Sequence, residues 1–344
     1  MIFSSVLTIN RFCNFRCPWC YAASTGYSEN DNMEFKLAID LIDFSKELGV
    51  RSIALIGGEP TYYPQIFELI EYIESQNIQT VLVTNGSRFK DANFAKAIEN
   101  FKNVIVNFSL KGASKKQYYE STNTDAYSDI IKAMENLKNV RNIKVGYSTV
   151  VSKETLYNMV EYARLVSKLD NNKSLKYSFC NGIVHTDGHI DSSAMLNPKD
   201  AVVEITKNFD TINELMNGNV YIEQTFPKCI WPESFLKKAK GQLIYSCRAY
   251  TKSSLIFDKD GRLLICNSLP DYPVGQYMRD FKNKEEFEKF WNNKNLNLMY
   301  KKFCAYPSPQ CKNCKDYLEC GGGCSIKWFS YNPKDLLKPV LQNK

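Results

Sequence analysis

The segment Cys13-Asn14-Phe15-Arg16-Cys17-Pro18-Trp19-Cys20 brings three thiols into eight residues, directly after the extended run Ser4-Ser5-Val6-Leu7-Thr8-Ile9-Asn10. Three cysteinates on one loop can hold three irons of a [4Fe–4S] cube and leave the fourth iron open to a cofactor or substrate. The same short spacing also serves half of a zinc site or a redox pair, so the loop alone leaves these readings open. A second set of cysteines lies near the C-terminus. Cys247 is followed after thirteen residues by Gly261, and Cys266 comes after four more. Between them Asp258-Lys259-Asp260-Gly261 reads as the turn of a hairpin joining strands 253–257 and 262–266, a rigid claw with a cysteine near each end. Cys304 precedes the run Cys311-x2-Cys314-x5-Cys320-x3-Cys324, in which Gly321-Gly322-Gly323 lets the chain fold tightly. Zinc ribbons are the competing reading of this second set.

Alternating strand and helix patterns must position these groups. Residues 33–48 show helical spacing and stop at Gly49; strand 51–56 then ends in Gly57-Gly58-Glu59-Pro60. Two glycines let backbone approach a ligand closely, and the proline stops the strand. A helix near 64–76 leads to strand 80–83 and Thr84-Asn85-Gly86; a helix near 90–100 leads to strand 104–109 and Leu110-Lys111-Gly112. A helix near 127–139, strand 143–151, a helix near 154–169, a sixth strand 175–180 and a last helix near 199–217 follow. Six β/α units predict a parallel sheet with helices outside, either doubly wound or a partial barrel. In such folds ligands meet the C-terminal strand ends, so segments 13–20, 57–60, 84–86, 109–112, 148–151 and 180–185 form the expected active-site rim. His185 and His189 stand four apart, but Asp187-Gly188 between them reads as a turn, and a substrate-touching rim loop is expected there. The periodicity breaks near 219–246, which divides the chain into domains 1–218 and 219–344.

The 344 residues are 44% apolar and 24% charged, ordinary for a globular protein. No run of 18 apolar residues and no signal-peptide pattern is present. Twelve cysteines without a signal sequence argue for metal ligands in a reducing, cytoplasmic setting rather than a disulfide scaffold. Residues 1–224 carry 23 Lys+Arg against 26 Asp+Glu, whereas residues 225–344 carry 21 against 11. The basic third suits an acidic peptide or an acidic flavodoxin or ferredoxin; without a basic-aromatic motif, nucleic acid ranks last.

The spacing C-x3-C-x2-C with Trp19 before the last cysteine, joined to Gly57-Gly58-Glu59-Pro60 at the second strand end, resembles the radical S-adenosylmethionine superfamily. The order C-x13-G-x4-C and then C-x2-C-x5-C-x3-C resembles that superfamily's SPASM extension. The resemblance covers residues 4 to 324 and decides for an open, partial (β/α)6 barrel of parallel strands, followed by a small cysteine-rich α+β extension. It implies S-adenosylmethionine and three [4Fe–4S] clusters as cofactors. Cys13, Cys17 and Cys20 would hold the first cluster. Cys247, Cys266 and Cys324 would hold an inner auxiliary cluster, and Cys311, Cys314 and Cys320 an outer one. Trp19, Gly57, Gly58, Glu59, Pro60, Asn85, Ser109 and Thr149 are the implied cofactor contacts. The chain departs from the family in two places. Lys111 stands where the fourth strand often carries an acid. The family's last cysteine, downstream of the run, is missing, with Cys304 the expected substitute and Asp335 a weaker one.

Enzymes of this kind mostly modify ribosomally made peptides by crosslinking, oxidation or epimerisation, and that is the activity expected here. Radical modification of a small molecule such as a sugar or antibiotic is the alternative, and a non-catalytic iron–sulfur electron carrier a remote third. Because the first strand begins near Met1, no leader-binding domain is expected before it; a separate protein could present the peptide. Cys180 and Cys229 find no place in any cluster. Burial is the plain reading for both. Cys180, at the end of the sixth strand, is the expected hydrogen-atom donor if the reaction is an epimerisation.

Overall fold

The computed structural model describes residues 2–169, 173–223, 226–245, 247–304 and 307–336. Its first half repeats strand and helix: β1 (Ser4–Thr8), α1 (Phe35–Glu47), β2 (Ser52–Ile56), α2 (Ile66–Ser75), β3 (Gln79–Thr84), α3 (Ala92–Ala97), β4 (Val104–Leu110), α4 (Lys115–Thr122), α5 (Tyr127–Lys138), β5 (Lys144–Val151), α6 (Met159–Leu169) and β6 (Leu175–Phe179). A short hairpin, β7 (Ile183–Val184) with β8 (Ile190–Asp191), precedes α7 (Pro198–Leu215). Strands β1 to β6 pair in sequence order, all parallel. This is the mostly parallel α/β sheet that the alternation predicts, in the partial-barrel form that the family resemblance implies.

The helices form for local reasons. In α1, Ala38, Leu41, Ile42 and Ser45 recur at helical spacing on the buried face. Asp91 accepts the amides of Asn93 and Phe94 to open α3, and Ser114 accepts that of Gln117 to open α4. Helix α4 carries no apolar periodicity to announce it, because its polar surface leaves only Tyr118, Ser121 and Thr122 buried. Strand burial alternates: on β4, Val104, Val106, Phe108 and Leu110 pack under the helices, while Ile105, Asn107 and Ser109 occupy the opposite, partly exposed inner face.

The C-terminal third extends the same sheet at both edges. β9 (Val220–Glu223) pairs parallel with β6, and after α8 (Glu233–Lys238), β10 (Leu243–Ile244) pairs with β9. After α9 (Arg248–Thr251), β11 (Ser254–Phe257) adds to the other edge, parallel to β1. β12 (Arg262–Leu264) returns antiparallel as the expected hairpin, and β13 (Pro273–Gln276) follows it. Helices α10 (Lys284–Trp291), α11 (Lys294–Phe303), α12 (Tyr317–Cys320) and α13 (Pro333–Leu336) complete the described chain. An aromatic cluster fastens this part to the barrel: Phe44 of α1 lies within 5.6 Å of the rings of Tyr277, Phe281 and Phe287.

Candidate active site and cysteine groups

The first cysteine loop is held from both sides. Phe15 is buried and packs edge-to-face on Tyr118, while the Arg16 amide donates to Thr122 O at 2.9 Å. Asn85 bridges to the loop: its amide nitrogen donates to Asn14 Oδ1 at 2.8 Å and reaches Cys13 Sγ at 3.9 Å. The loop base is spliced to the end of β2. Gly58 N–H donates to Asn10 O at 3.0 Å, Glu59 N–H to Phe12 O at 2.6 Å, and Asn10 Nδ2 to Glu59 O at 2.9 Å. A Cβ on Gly58 would fall far inside contact distance of the Arg11 and Phe12 carbonyls, so only glycine permits this approach.

The Glu59 carboxylate is turned inward. It accepts from the amide and hydroxyl of Thr61, the Thr84 hydroxyl and the Asn85 amide, the last three at 2.6 Å. Burial raises its pKa, and those hydrogen bonds oppose the rise. Glu59 thus locks three strand ends together. Trp19 is half-buried and Pro60 is buried, opening a 3-10 turn.

Burial pushes the Cys13 thiol up to about 12, with Glu59, Cys17 and Cys20 adding to it, and Cys17 up to about 11, eased by Lys111. Lys111 Nζ donates to Ser109 Oγ at 2.6 Å on the inner face. A cation therefore stands beside the loop where the family often has an acid. The Thr149 side chain, an expected cofactor contact, does not stand on the inner face. Strand alternation places it with Val145, Tyr147 and Val151 on the buried helix-facing side, away from the inner face. Ser148, paired with Ser109 across the strands, holds the inner position instead.

Among the described residues, no three His, Cys, Asp or Glu side chains close in as a single metal ion requires. The thiols gather in looser sets, which suits a cube whose ligands sit on separate irons; all-sulfur donors suit iron–sulfur clusters. Cys247, Cys266, Cys304 and Cys324 form one such set. Burial raises all of the first three thiols, Cys266 and Cys304 to about 12, and Cys324 adds to each rise. Tyr300 lies within electrostatic reach of both Cys304 and Cys266. Cys304 thus lies within electrostatic reach of Cys247 and Cys324. A cleft of about 360 Å³ opens next to Cys247, lined also by Tyr245, Tyr250, Glu319 and Ser325. Cys311, Cys314 and Cys320 form the other set: burial raises Cys311 and Cys320, and Cys314 adds to both. Gly321, Gly322 and Gly323, with φ of 58°, 76° and 81°, carry the chain from one set to the other. Asp335 is exposed on α13.

Cys180 lies at the barrel rim as expected, buried, with its thiol raised to about 12 by burial and eased by Lys327. Its S–H donates to Asn181 O at 3.3 Å. Asn181 Oδ1 in turn accepts from Lys327 Nζ at 2.8 Å and from Cys324 Sγ at 3.7 Å. The sixth strand end therefore touches the four-cysteine set. Lys327, 2% exposed, escaped the sequence reading, although a lysine inside Ile326-Lys327-Trp328-Phe329 is a usable signal. Tyr21, raised by burial, feels both Cys20 and Cys266 and so stands between the first set and this one. The hairpin turn is clamped onto the cysteine loop by Asp258, fully buried, which pairs with Arg262 at 2.5 Å and Arg11 at 3.9 Å. His185 and His189 face each other across the β7–β8 turn, their rings stacked at 5.7 Å.

The family model described as the radical SAM superfamily matches residues 7–166. The chain is 24% identical over 336 residues to a cysteine-type anaerobic sulfatase-maturating enzyme of Clostridium novyi, covering 91% of this chain and 84% of that one. It is 26% identical over 160 residues to a probable GTP 3′,8-cyclase of Thermococcus kodakarensis, of which it spans only about half, 52%, with 46% of this chain matched. Among solved structures, Streptococcus suis SuiB bound to precursor peptide SuiA shares the fold, with a TM-score of 0.71 at 19% identity over 99% of this chain and 76% of that one. No described helix is long and apolar enough to cross a membrane. With the cysteine loop and the glycine-lined strand end both inside the matched stretch, residues 7–166 form a radical SAM domain.

Proposed function

We propose that this enzyme modifies a peptide by hydrogen abstraction, using a radical cluster on Cys13, Cys17 and Cys20 and two auxiliary clusters on the C-terminal cysteine sets. The observation that carries this reading is the contact between the rim and the four-cysteine set, made through Asn181 and Cys324. A maturase needs its substrate carbon, its cofactor and an electron acceptor close together, and the β6 end meets that need. Cys13, Cys17 and Cys20 would hold the cluster that, with S-adenosylmethionine bound, would supply hydrogen-abstracting radical chemistry, and the C-terminal cysteine sets would hold clusters for one-electron transfer. The chain's own residues do the rest. Gly57 and Gly58 let the β2 end close on Asn10 and the Arg11 and Phe12 carbonyls and so position the cysteine loop, Asn85 fixes the loop, and Ser109 with Lys111 offers a cationic contact beside Cys17. The match to a sulfatase-maturating enzyme along nearly the whole chain, and the fold shared with a peptide-bound maturase, support a peptide substrate. An acidic flavodoxin or ferredoxin fits the basic C-terminal third as electron donor.

The test is co-expression with short reading frames encoded beside the gene, followed by peptide mass spectrometry. A loss of two mass units marks crosslinking or oxidation; deuterium uptake from heavy water without other mass change marks epimerisation. Formation of 5′-deoxyadenosine with every peptide unaltered overturns the peptide reading in favour of a small molecule. Cys180 favours epimerisation as a second reading, because a rim thiol S–H can close the reaction by giving a hydrogen atom to the substrate radical. Cys180→Ala should then form 5′-deoxyadenosine but no inverted product; full product formation reduces Cys180 to packing.

A further inference from the structure

The structure gathers four thiols in the inner set but leaves Cys311, Cys314 and Cys320 with three. Cys229 has no place in the clusters that the cysteine motifs imply. It lies on a 3-10 turn, Lys228–Ile230, that follows β9 from the barrel edge and is seated on the outer set. The Lys228 amide donates to Cys320 Sγ at 3.3 Å, and the Lys228 ammonium pairs with Glu319. Pro227 packs against Gly323, where an added Cβ would meet it at 3.1 Å. The turn is anchored from behind: Trp231 is buried, stacks on Phe235 at 5.0 Å and donates its indole N–H to Phe226 O. The amide on the Cys320 sulfur belongs to the residue directly before Cys229, so standard backbone lengths put the Cys229 Cα within roughly 8 Å of that sulfur. That separation suits two cysteines bound to different corners of one cube, and an N–H···S bond is a common companion of cluster thiolates.

We propose that Cys229 is the fourth ligand of the outer auxiliary cluster, in place of the downstream cysteine that the chain lacks. The ligand arrives from the barrel side, so the outer cluster fastens the β9 edge to the C-terminal run. The proposal rests on the reading that the outer set holds a cluster.

The test uses the full chain with Cys13, Cys17 and Cys20 all changed to Ala, reconstituted anaerobically, so that only auxiliary clusters load. About eight irons per chain should bind. About four would overturn the outer-cluster reading itself. In that background Cys229→Ala should either lose about four irons or keep them with an electron paramagnetic resonance signal that shifts on adding a small thiol. Cys229→Ser should shift the signal of the same cluster, because oxygen replaces sulfur on one iron. The inner cluster's signal reports that each variant is folded. Unchanged iron and an unchanged, thiol-insensitive signal in Cys229→Ala would overturn the ligand assignment. A second measurement needs no variant at that position: with Cys229 intact the outer cluster's signal should ignore added thiol, and a shift there would show an open iron and defeat the proposal.

Discussion

Gly58→Ala tests whether the β2 end positions the radical site through close backbone contact. A Cβ at Gly58 would sit 2.5 Å from the Phe12 carbonyl carbon and closer still to the Arg11 and Phe12 oxygens, whereas ordinary contacts begin at 3.4 Å. The obstacle is backbone, so no side chain can swing aside; the strand end and the cysteine loop must part by about 1 Å. The Glu59-to-Phe12 hydrogen bond at 2.6 Å is broken or bent by that movement. Overpacking at about 1–3 kcal/mol, with one hydrogen bond at about 1 kcal/mol, leaves a folded but weakened protein. A 1 Å misplacement can cost about a hundredfold in rate. Anaerobic 5′-deoxyadenosine formation should therefore fall at least about a hundredfold, while the auxiliary clusters still load. Gly241→Ala is the control: its φ of 83° strains any side chain, but nothing lies within 4 Å. It should cost about 1 kcal/mol and leave turnover intact. Wild-type turnover in Gly58→Ala would refute the splice as the positioning element.

Asp258→Ala strands Arg11, which is 4% exposed, beside the cysteine loop; urea unfolding should show a loss of about 3–5 kcal/mol, and a loss below about 1 would disprove the clamp. Lys111→Met removes the cation beside Ser109 and Cys17; equilibrium dialysis should show about tenfold weaker S-adenosylmethionine binding with iron content unchanged, and unchanged binding would place the cofactor's anionic end elsewhere. Cys304→Ala should alter the signal or iron of the four-cysteine cluster and leave cofactor cleavage largely intact; identical spectra and iron would remove Cys304 from that cluster.

Features that depend on near neighbours in the chain are legible in the order of residues alone. The spacing of Cys13, Cys17 and Cys20, the turn at Asp258–Gly261, the alternation of strands and helices, and the three glycines after Cys320 are set by a few consecutive residues each. Their turn geometry and periodicity need no distant partner. Tertiary structure alone decided which distant groups meet. Cys304 lies 57 positions from Cys247, and the two meet because β11 docks along β1 and α10 and α11 fold back beside it. The Cys229 turn reaches Cys320 because β9 extends the opposite edge of the same sheet. Thr149 shows the limit most plainly: a one-residue step along a strand exchanges the inner face for the helix-covered one. Residue type and rim position suggested a cofactor contact, but only the paired register of β4 and β5 fixes which serine or threonine faces inward. Register and edge pairing are settled by the packing of the whole sheet, and no short stretch of sequence carries that information.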